Sequence, residues 1–297
     1  MSGDTLVVVS MITRNSLTKL ASKRSVIRLR DVLDSTLQIP YKTFILVDDS
    51  TDETPNFVKR WCEEHDKEII VSRSRLYGFH RPTRATARQT AIDIFFENTS
   101  DEWLMFVDDD VVLQPGWWEE AKQYIENPRI GIIWGINWDG TPFRKKWLEF
   151  FGINYEKYLV DEFFRRGGEH DTLHRREALE GIRIPPELHV FEDWYILKYI
   201  LSKGYEAVVL RTGCIHYNPW DTFLPREELK WMATLAKKYG IEPSNLGYRL
   251  KRFLRTLAGL PLNLYLSMRV YGWREGLKRG YMRWRTKLLY RWYALVG

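Results

Sequence analysis

Cysteine is almost missing from this chain. The 297 residues hold only Cys62 and Cys214, far apart and with no partner spacing. That excludes a disulfide scaffold and a thiol-based zinc or redox motif, and it predicts a reducing compartment. Long apolar runs are missing too. The longest uncharged stretch near the C-terminus, Thr256 to Met268, has 13 residues and contains Pro261 and Asn263. A transmembrane helix needs about 20 apolar residues, so none is expected. No signal peptide is expected either, because a short polar start runs directly into the apolar segment 6–12. Glycine is absent from residues 10–20, which argues against the Gly-rich phosphate loop of a sugar nucleotidyltransferase. Internal repeats and low-complexity tracts are absent as well. At 44% hydrophobic and 28% charged, the chain has an ordinary globular composition, outside the disordered and collagen-like classes.

Acidic residues are scarce in one place only. Residues 249–297 carry 12 Lys and Arg against a single acid, Glu275, a net +11. The overall charge of +6 therefore hides a body, residues 1–248, of net −5. An acidic body with a basic tail implies two different partners rather than one general affinity for anions.

The apolar pattern alternates between strand-like and helix-like segments. Residues 5–12 (TLVVVSMI), 43–47 (TFILV), 68–72, 103–107 (WLMFV) and 206–210 read as strands. Helical spacing covers about 20–38, 54–65, 84–97 and 194–203, the last stopped by Gly204. Strands alternating with helices predict an α/β fold with a largely parallel sheet. The Gly- and aromatic-rich stretch 128–180 follows no clear period, and a boundary is expected near Pro243–Tyr248.

Two of the strands end in acidic clusters, Asp48-Asp49 and Asp108-Asp109-Asp110. The carboxyl edge of an open α/β sheet is where ligands bind. Three consecutive aspartates repel one another there, and a hard divalent cation, Mg2+ or Mn2+, is the usual compensation. A solvated acidic turn is the plainer alternative, and two such clusters on one sheet weigh against it.

Four motifs in order carry a resemblance. A first strand ends near Thr13-Arg14-Asn15, followed by VDDSTD at 47–52, ARQTA at 87–91, and FVDDDVVLQPGWW at 106–118. With FEDWYILKY at 191–199 opening a helix, the chain resembles family 2 glycosyltransferases of the GT-A fold over roughly residues 5–220. Ile12 stands where the family commonly has proline, and Gln89 where it has asparagine.

The resemblance implies a three-layer α/β/α sandwich with a mostly parallel mixed sheet, plus C-terminal amphipathic helices. It places the catalytic domain at 1–245, with a nucleotide-sugar half at about 1–120 and an acceptor half at about 121–245, and the tail at 246–297. Asp49 is implied to contact the nucleobase, with Asp48 and Thr13 beside it. Asp108, Asp109 and Arg88 fall near the donor; the plainer reading of Arg88 is a surface helix arginine. Asp108 and Asp110 are implied to bridge ribose and metal, with His216 completing the metal site. The remaining histidines, at 65, 80, 170, 174 and 189, have no comparable strand-end context in the sequence. Asp193 is the implied general base, beside Glu192; helix capping is the alternative for both. GGEHDTLHRREALE at 167–180 is placed by the acceptor.

In the tail, Trp273, Leu277, Tyr281, Trp284, Leu288 and Trp292 recur at helical steps, with seven bases between them. This predicts a basic amphipathic helix at a membrane interface. A helix clasping the catalytic domain is the alternative, and nucleic acid comes last. The functional expectation is a metal-dependent inverting transferase. It moves a sugar from a UDP- or GDP-sugar to a hydroxyl acceptor, lipid-carrier-linked or polysaccharide, at the cytoplasmic face of a membrane. Its rivals are a polyprenyl-phosphate glycosyltransferase, a haloacid-dehalogenase-like phosphatase matching LMFVDDDVV at 104–112, and a non-enzymatic basic membrane-binding module.

Overall fold

A computed structural model describes residues 7–22, 28–138, 142–217, 224–243 and 245–296. The start of the first expected strand and residues 23–27 of the expected helix at 20–38 lie outside these. The chain divides into two compact units, one from Met1–Gly140 and Glu156–Asn218, the other from Thr141–Tyr155 and Pro219–Gly297.

Among the described residues the first unit is built on an eight-stranded sheet. In chain order it has β1 (Val7–Thr13), α1 (Ser16–Ser22), α2 (Leu29–Ser35), β2 (Tyr41–Asp48), α3 (Thr54–Glu64), β3 (Glu68–Ser72), α4 (Arg84–Asn98), β4 (Trp103–Val107), β5 (Val111–Leu113) and α5 (Trp117–Ala121). Then come β6 (Ile130–Asn137), α6 (Pro142–Phe150, in the second unit), α7 (Tyr155–Arg166), β7 (Asp171–Arg175), α8 (Arg176–Leu179), α9 (Glu192–Ser202) and β8 (Glu206–His216). The sheet order is β3-β2-β1-β4-β7-β6-β8-β5. The pairs β1–β2, β2–β3, β1–β4 and β6–β8 are parallel, whereas β7 runs antiparallel to both β4 and β6, and β5 antiparallel to β8. This is a mixed α/β sheet, as expected.

Side-chain alternation sorts the sheet into two faces. Val7, Val9, Met11, Phe44, Leu46, Met105 and Val107 form one buried cluster with Leu33 of α2, Trp61 of α3 and Trp117 of α5. Residues of the other parity, among them Val8, Ile45, Val47, Leu104 and Phe106, are buried as well, on the side where α4 packs against β1 and β2. Three layers result. β6 and β7 are buried along their whole lengths, so 130–137 and 171–175 lack alternation because each strand is covered on both faces, and the stretch between them holds the helices α6 and α7.

The second unit is helical: α6, α10 (Arg226–Lys238), α11 (Leu246–Ala258), α12 (Leu260–Tyr271) and α13 (Trp273–Val296). The boundary expected near 243–248 thus falls inside this unit, because α6 and α10 belong to it. α13 packs against α10, α11 and α12. Its contact with α12 is unusually close. A Cβ on Gly276 would collide with the Met268 backbone, and one on Gly280 would lie 3.0 Å from the Asn263 carbonyl oxygen. Buried Asn263 and Ser267 face this seam. Glu242 ties the unit together, accepting from Arg252 at 2.7 Å and Arg291 at 2.6 Å.

The aromatic face of α13 is therefore shared. Trp284 Nε1 donates to the Thr256 carbonyl at 2.8 Å, and Leu277 and Leu288 are half-buried, while Trp273, Tyr281 and Trp292 stay exposed. A continuous open apolar stripe lies instead on α11, where Leu246, Leu250, Leu254 and Leu257 are 43–60% exposed. Among the described residues no helix is long and apolar enough to cross a membrane.

Candidate active site

The site is built where the strands end. Thr13 and Asp48 are register partners across β1 and β2, and the Thr13 hydroxyl donates to the Asp48 carboxylate. Asp48 also accepts from the Ser50 amide at 2.7 Å. Asn15 sits at φ 55°, a left-handed conformation asparagine tolerates, and its side-chain oxygen takes the Thr51 amide at 2.7 Å. These bonds fix the turn around Asp49. Its carboxylate accepts from the Ser74 hydroxyl at 2.5 Å and stays half-buried at the sheet edge.

The three aspartates after β4 go three ways. Asp108 takes Arg88 at 2.5 Å. Arg88 is 2% exposed and its guanidinium lies 4.5 Å from the Phe106 ring, which corrects the surface reading of this residue. Asp109 accepts from the Ser16 hydroxyl and from Lys19 at 2.8 Å. Its partners are thus α1 side chains, and its observed work is to tie α1 to the β4 end. Asp110 meets His216 Nε2 at 3.0 Å and Lys19 at 3.6 Å. The antiparallel pairing of β5 with β8 sets Val111 opposite His216, which is why residues so distant in sequence meet. Asn137 on β6 holds the other His216 nitrogen at 3.1 Å.

Sequence reasoning passed over the start of β7. Because β7 runs antiparallel to β4, its first residues lie at the edge where β4 ends, and the Asp108 amide donates to the His170 carbonyl at 3.1 Å. His170 therefore has a strand-end context after all. Its ring centroid is 5.6 Å from that of His216. His170 Nδ1 pairs with Asp171 at 2.5 Å, and Trp117 Nε1 donates to the same carboxylate at 2.9 Å. Burial alone would lower the His170 pKa, but Asp171 holds it above the ordinary value. His174 is fully buried against Glu169 at 2.6 Å. The glycines at 167–168 make this loop possible. Gly167 has φ 78°, and a Cβ there would run into the Asp193 carbonyl.

Glu192 and Asp193 open α9. Glu192 is 4% exposed, and its Oε2 is buried without a hydrogen-bond partner. Burial and the neighbouring Asp193 push it up to about 8. Burial likewise raises Asp193 to about 6, with Arg166 opposing. Asp193 accepts the Trp194 amide at 2.7 Å in the first turn of α9, whereas Glu192 Oε2 makes no such bond. Arg84, missed in the sequence, joins the two acidic sets. Burial opposes its charge, but Glu192, Asp108, Asp193 and Asp110 together outweigh that and raise its pKa. Its side chain is solvent-reached yet crowded by carboxylates, as in a cleft. The loop that leads into β7 touches the start of α9 directly, since a Cβ on Gly167 would lie 2.3 Å from the Asp193 carbonyl oxygen.

A family model described as glycosyl transferase family 2 matches residues 26–180, more than half of the chain. The chain belongs to glycosyl transferase family 2. The phosphatase and non-enzymatic readings thereby fall away. Across the whole fold, this family 2 transferase is similar to mannosyltransferase PcManGT from Pyrobaculum calidifontis, solved in complex with GDP-Man and Mn2+. The TM-score is 0.56 at 16% identity, covering 99% of this chain and 86% of that one. It is similar to S. aureus TarS 1–349, with a TM-score of 0.54 at 16% identity over 97% of this chain and 90% of that one. Glucosyl-3-phosphoglycerate synthase from Mycobacterium tuberculosis, in complex with Mn2+, UDP and phosphoglyceric acid, follows at a TM-score of 0.50 and 16% identity, covering 82% and 81%. At such identities the likeness is one of fold, the GT-A fold. No curated protein matches the sequence.

Proposed function

We propose that this family 2 transferase moves a sugar from a nucleotide-diphosphate sugar, UDP- or GDP-linked, to a hydroxyl acceptor with inversion, in the presence of Mn2+ or Mg2+. The observation that carries this is the Asp110–His216 pair at the sheet edge, with the loop leading into β7 packed at Gly167 against the Asp193 backbone.

The residues fit a divalent cation. Asp108 and Asp110 offer hard oxygens and His216 an imidazole nitrogen. Asn137 Oδ1 is buried without a partner while its amide nitrogen faces His216 Nδ1. Turning that amide over lets Oδ1 accept the Nδ1 proton and leaves the His216 Nε2 lone pair facing the Asp110 carboxylate 3.0 Å away, an arrangement that a cation between them would stabilise. A bound cation would neutralise the diphosphate charge that grows as the glycosidic bond breaks.

The chain's own groups do the rest. Asp49, Asp48 and Thr13 hold the nucleobase end, and Arg88 holds Asp108 in place. Asp193 takes the proton from the acceptor hydroxyl as it attacks. A carboxyl raised to about 6 suits that task, because it is mostly ionised near neutral pH yet basic enough to gain a proton. Arg84 limits the repulsion between the two acidic pairs. The acceptor class follows from the base: a lipid phosphate is already ionised and would not need Asp193.

The test is calorimetry with UDP and GDP, with and without Mn2+, beside a transfer assay on Asp193→Asn. Metal-dependent nucleotide binding should survive in the variant, while transfer falls about 10²- to 10⁴-fold. Asp110→Ala should weaken the metal-dependent binding instead. Retention of most transfer by Asp193→Asn would remove Asp193 as base and favour a phosphate acceptor.

The acceptor is proposed to be a glycan or lipid-linked sugar at the cytoplasmic face of a membrane, with the 249–297 region as the peripheral contact and no nucleic acid partner. Within that region the supporting feature is α11, whose open leucine stripe lies beside exposed Lys251 and Arg255. An apolar stripe bordered by bases suits a helix lying in an anionic interface.

A further inference from the structure

The turn that ends α6 is firmly held and yet holds its side chains out. Residues 150–153 read Phe-Phe-Gly-Ile. Gly152 has φ 64°, and the amides of Gly152 and Ile153 donate to the carbonyls of Glu149 at 3.0 Å and Leu148 at 2.9 Å, the paired bonds of a glycine-stopped helix end. Phe151 is braced by Trp147, with ring centroids 5.0 Å apart. In spite of this support Phe150, Phe151 and Ile153 are 45–55% exposed. Three large apolar side chains within four residues of a built turn make a patch that calls for a partner.

Beside the turn a cavity of about 210 Å³ opens between α6 and α12. Each helix lends it one cation and one aromatic ring a single turn apart, Lys146 and Phe150 from α6, Tyr265 and Arg269 from α12, over buried Leu266. Its one acid, Glu149, is taken by Lys146 at 3.0 Å. Arg269 has no hydrogen-bond or ion partner among the described residues. Two cations against one acid leave the lining with a positive charge over, and exposed Lys145 stands next to it in the chain.

A cationic cleft beside an apolar turn matches an amphiphile with a negative head. Free phosphate would satisfy the cations and leave Phe150, Phe151 and Ile153 in water, and an acidic peptide offers the turn no apolar medium. A bilayer meets both needs at once. Lysine and arginine stems reach headgroup phosphates while aromatic and aliphatic side chains enter the acyl boundary. In the same unit, α11 leaves its leucine stripe open to the same medium.

We propose that the α6–α12 cleft takes the phosphate headgroup of an anionic phospholipid, with Phe150, Phe151 and Ile153 entering the bilayer beside it. The inference rests on the proposed membrane contact of the second unit, and it extends that contact beyond residues 249–297 to the chain between β6 and α7.

The test titrates the full chain with vesicles of phosphatidylcholine, with and without phosphatidylserine, and recovers the bound fraction by flotation. Two variants are compared with the parent: Phe150→Ser, Phe151→Ser, Ile153→Ser for the turn, and Lys146→Gln, Arg269→Gln for the cleft. The turn variant should bind both vesicle types about 10-fold more weakly. The cleft variant should lose about 10- to 30-fold on the phosphatidylserine vesicles and little on phosphatidylcholine alone. All five positions are exposed, so melting curves should coincide with the parent's, and the cleft variant decides if the turn variant melts early. Undiminished binding by both variants, with the parent bound, would overturn this contact and leave α11 as the membrane face. No binding by the parent would overturn both. Dimerisation of the parent in sedimentation, lost in the turn variant and without vesicle binding, would give the turn to a second copy and overturn the lipid.

Discussion

The two units break the ordinary rule of burial in opposite directions. The first buries charge: Asp48, Asp109, Asp110, Glu169, Asp171 and Glu192 are all nearly inaccessible at one sheet edge. The second leaves leucine, tryptophan and tyrosine in water, while Gly276, Gly280, Asn263 and Ser267 occupy its seams. Buried polar groups and exposed apolar patches are the informative departures. An acid is buried at a cost in stability where a ligand or a reaction needs it, and a leucine stripe is left open where a surface covers it. On the proposed function, one unit is arranged for small, charged substrates, and the other for an extended apolar partner.

The sharpest way to break this contrast is to unbalance the buried charge. Asp108→Ala leaves the Arg88 cation, 2% exposed, without its carboxylate. Leaving a buried donor without its partner costs about 1–3 kcal/mol, and Asp108 itself is 30% exposed. Urea unfolding should show that loss, and an Arg88→Met, Asp108→Ala double variant should recover part of it. A single-variant loss below about 1 kcal/mol would mean that Arg88 finds water or another acceptor.

That pair also shows what sequence could and could not reveal. Strand-end aspartates are legible, because an apolar β-branched run followed by acids has one common meaning in an α/β sheet. So Asp48, Asp49, Asp108 and Asp110 could be singled out from the pattern, Asp193 only through the family resemblance, and strand pairing brings His216 to Asp110. Direction is not legible. Nothing in DTLHR at 171–175 says that β7 runs against β4, so His170 and Glu169 looked like loop residues. Nor does a run of aspartates say which one turns away; Asp109 is set apart by the Ser16 hydroxyl and by its closer contact with Lys19. In the tail, the spacing on α13 is real, but period alone cannot tell a face packed on sister helices from one left open.

The second test moves to the helical unit. Gly276→Val places a side chain against the Met268 backbone, which cannot rotate away. Overpacking of this kind costs about 1–3 kcal/mol. The helical signal should melt earlier, and nucleotide binding by calorimetry should be unchanged below the melting range. A loss of nucleotide binding at a temperature where the helices remain folded would show that the two functions are not separable.

A third test uses pH. Glu192 is raised to about 8 by burial and by Asp193, against an ordinary 4.5. Between those values the native state keeps a proton that the unfolded chain has released, so stability falls as pH rises through that window and levels off above it. Glu192→Gln should therefore unfold at a higher temperature than the parent at about pH 9 and at nearly the same temperature at about pH 5. Asp193 acts in the same sense up to about 6, and in catalysis its kcat/KM limb should rise with pH through that value. Identical pH dependence of parent and Glu192→Gln melting would mean that Glu192 is ionised in the fold.

The smallest effect on stability should come from the most conspicuous apolar residues. Leu250 and Leu254 are 43% and 50% exposed on α11, so replacing both with glutamate removes little burial. Exposed substitutions usually stay within about 0.5 kcal/mol. If the stripe serves a membrane, the same change should matter greatly there: each leucine withdrawn forfeits its insertion, and each glutamate adds repulsion from anionic lipid. Flotation with liposomes containing phosphatidylserine should recover the parent in the lipid fraction and leave the double variant in solution, with melting curves that coincide. Flotation of neither would reject the membrane as the partner of α11. Flotation of both would move the contact to the exposed Trp273, Tyr281 and Trp292 of α13. Only a variant that loses lipid while keeping its fold shows that the second unit exposes leucine for the same reason that the first buries aspartate, to meet a partner that the isolated chain lacks.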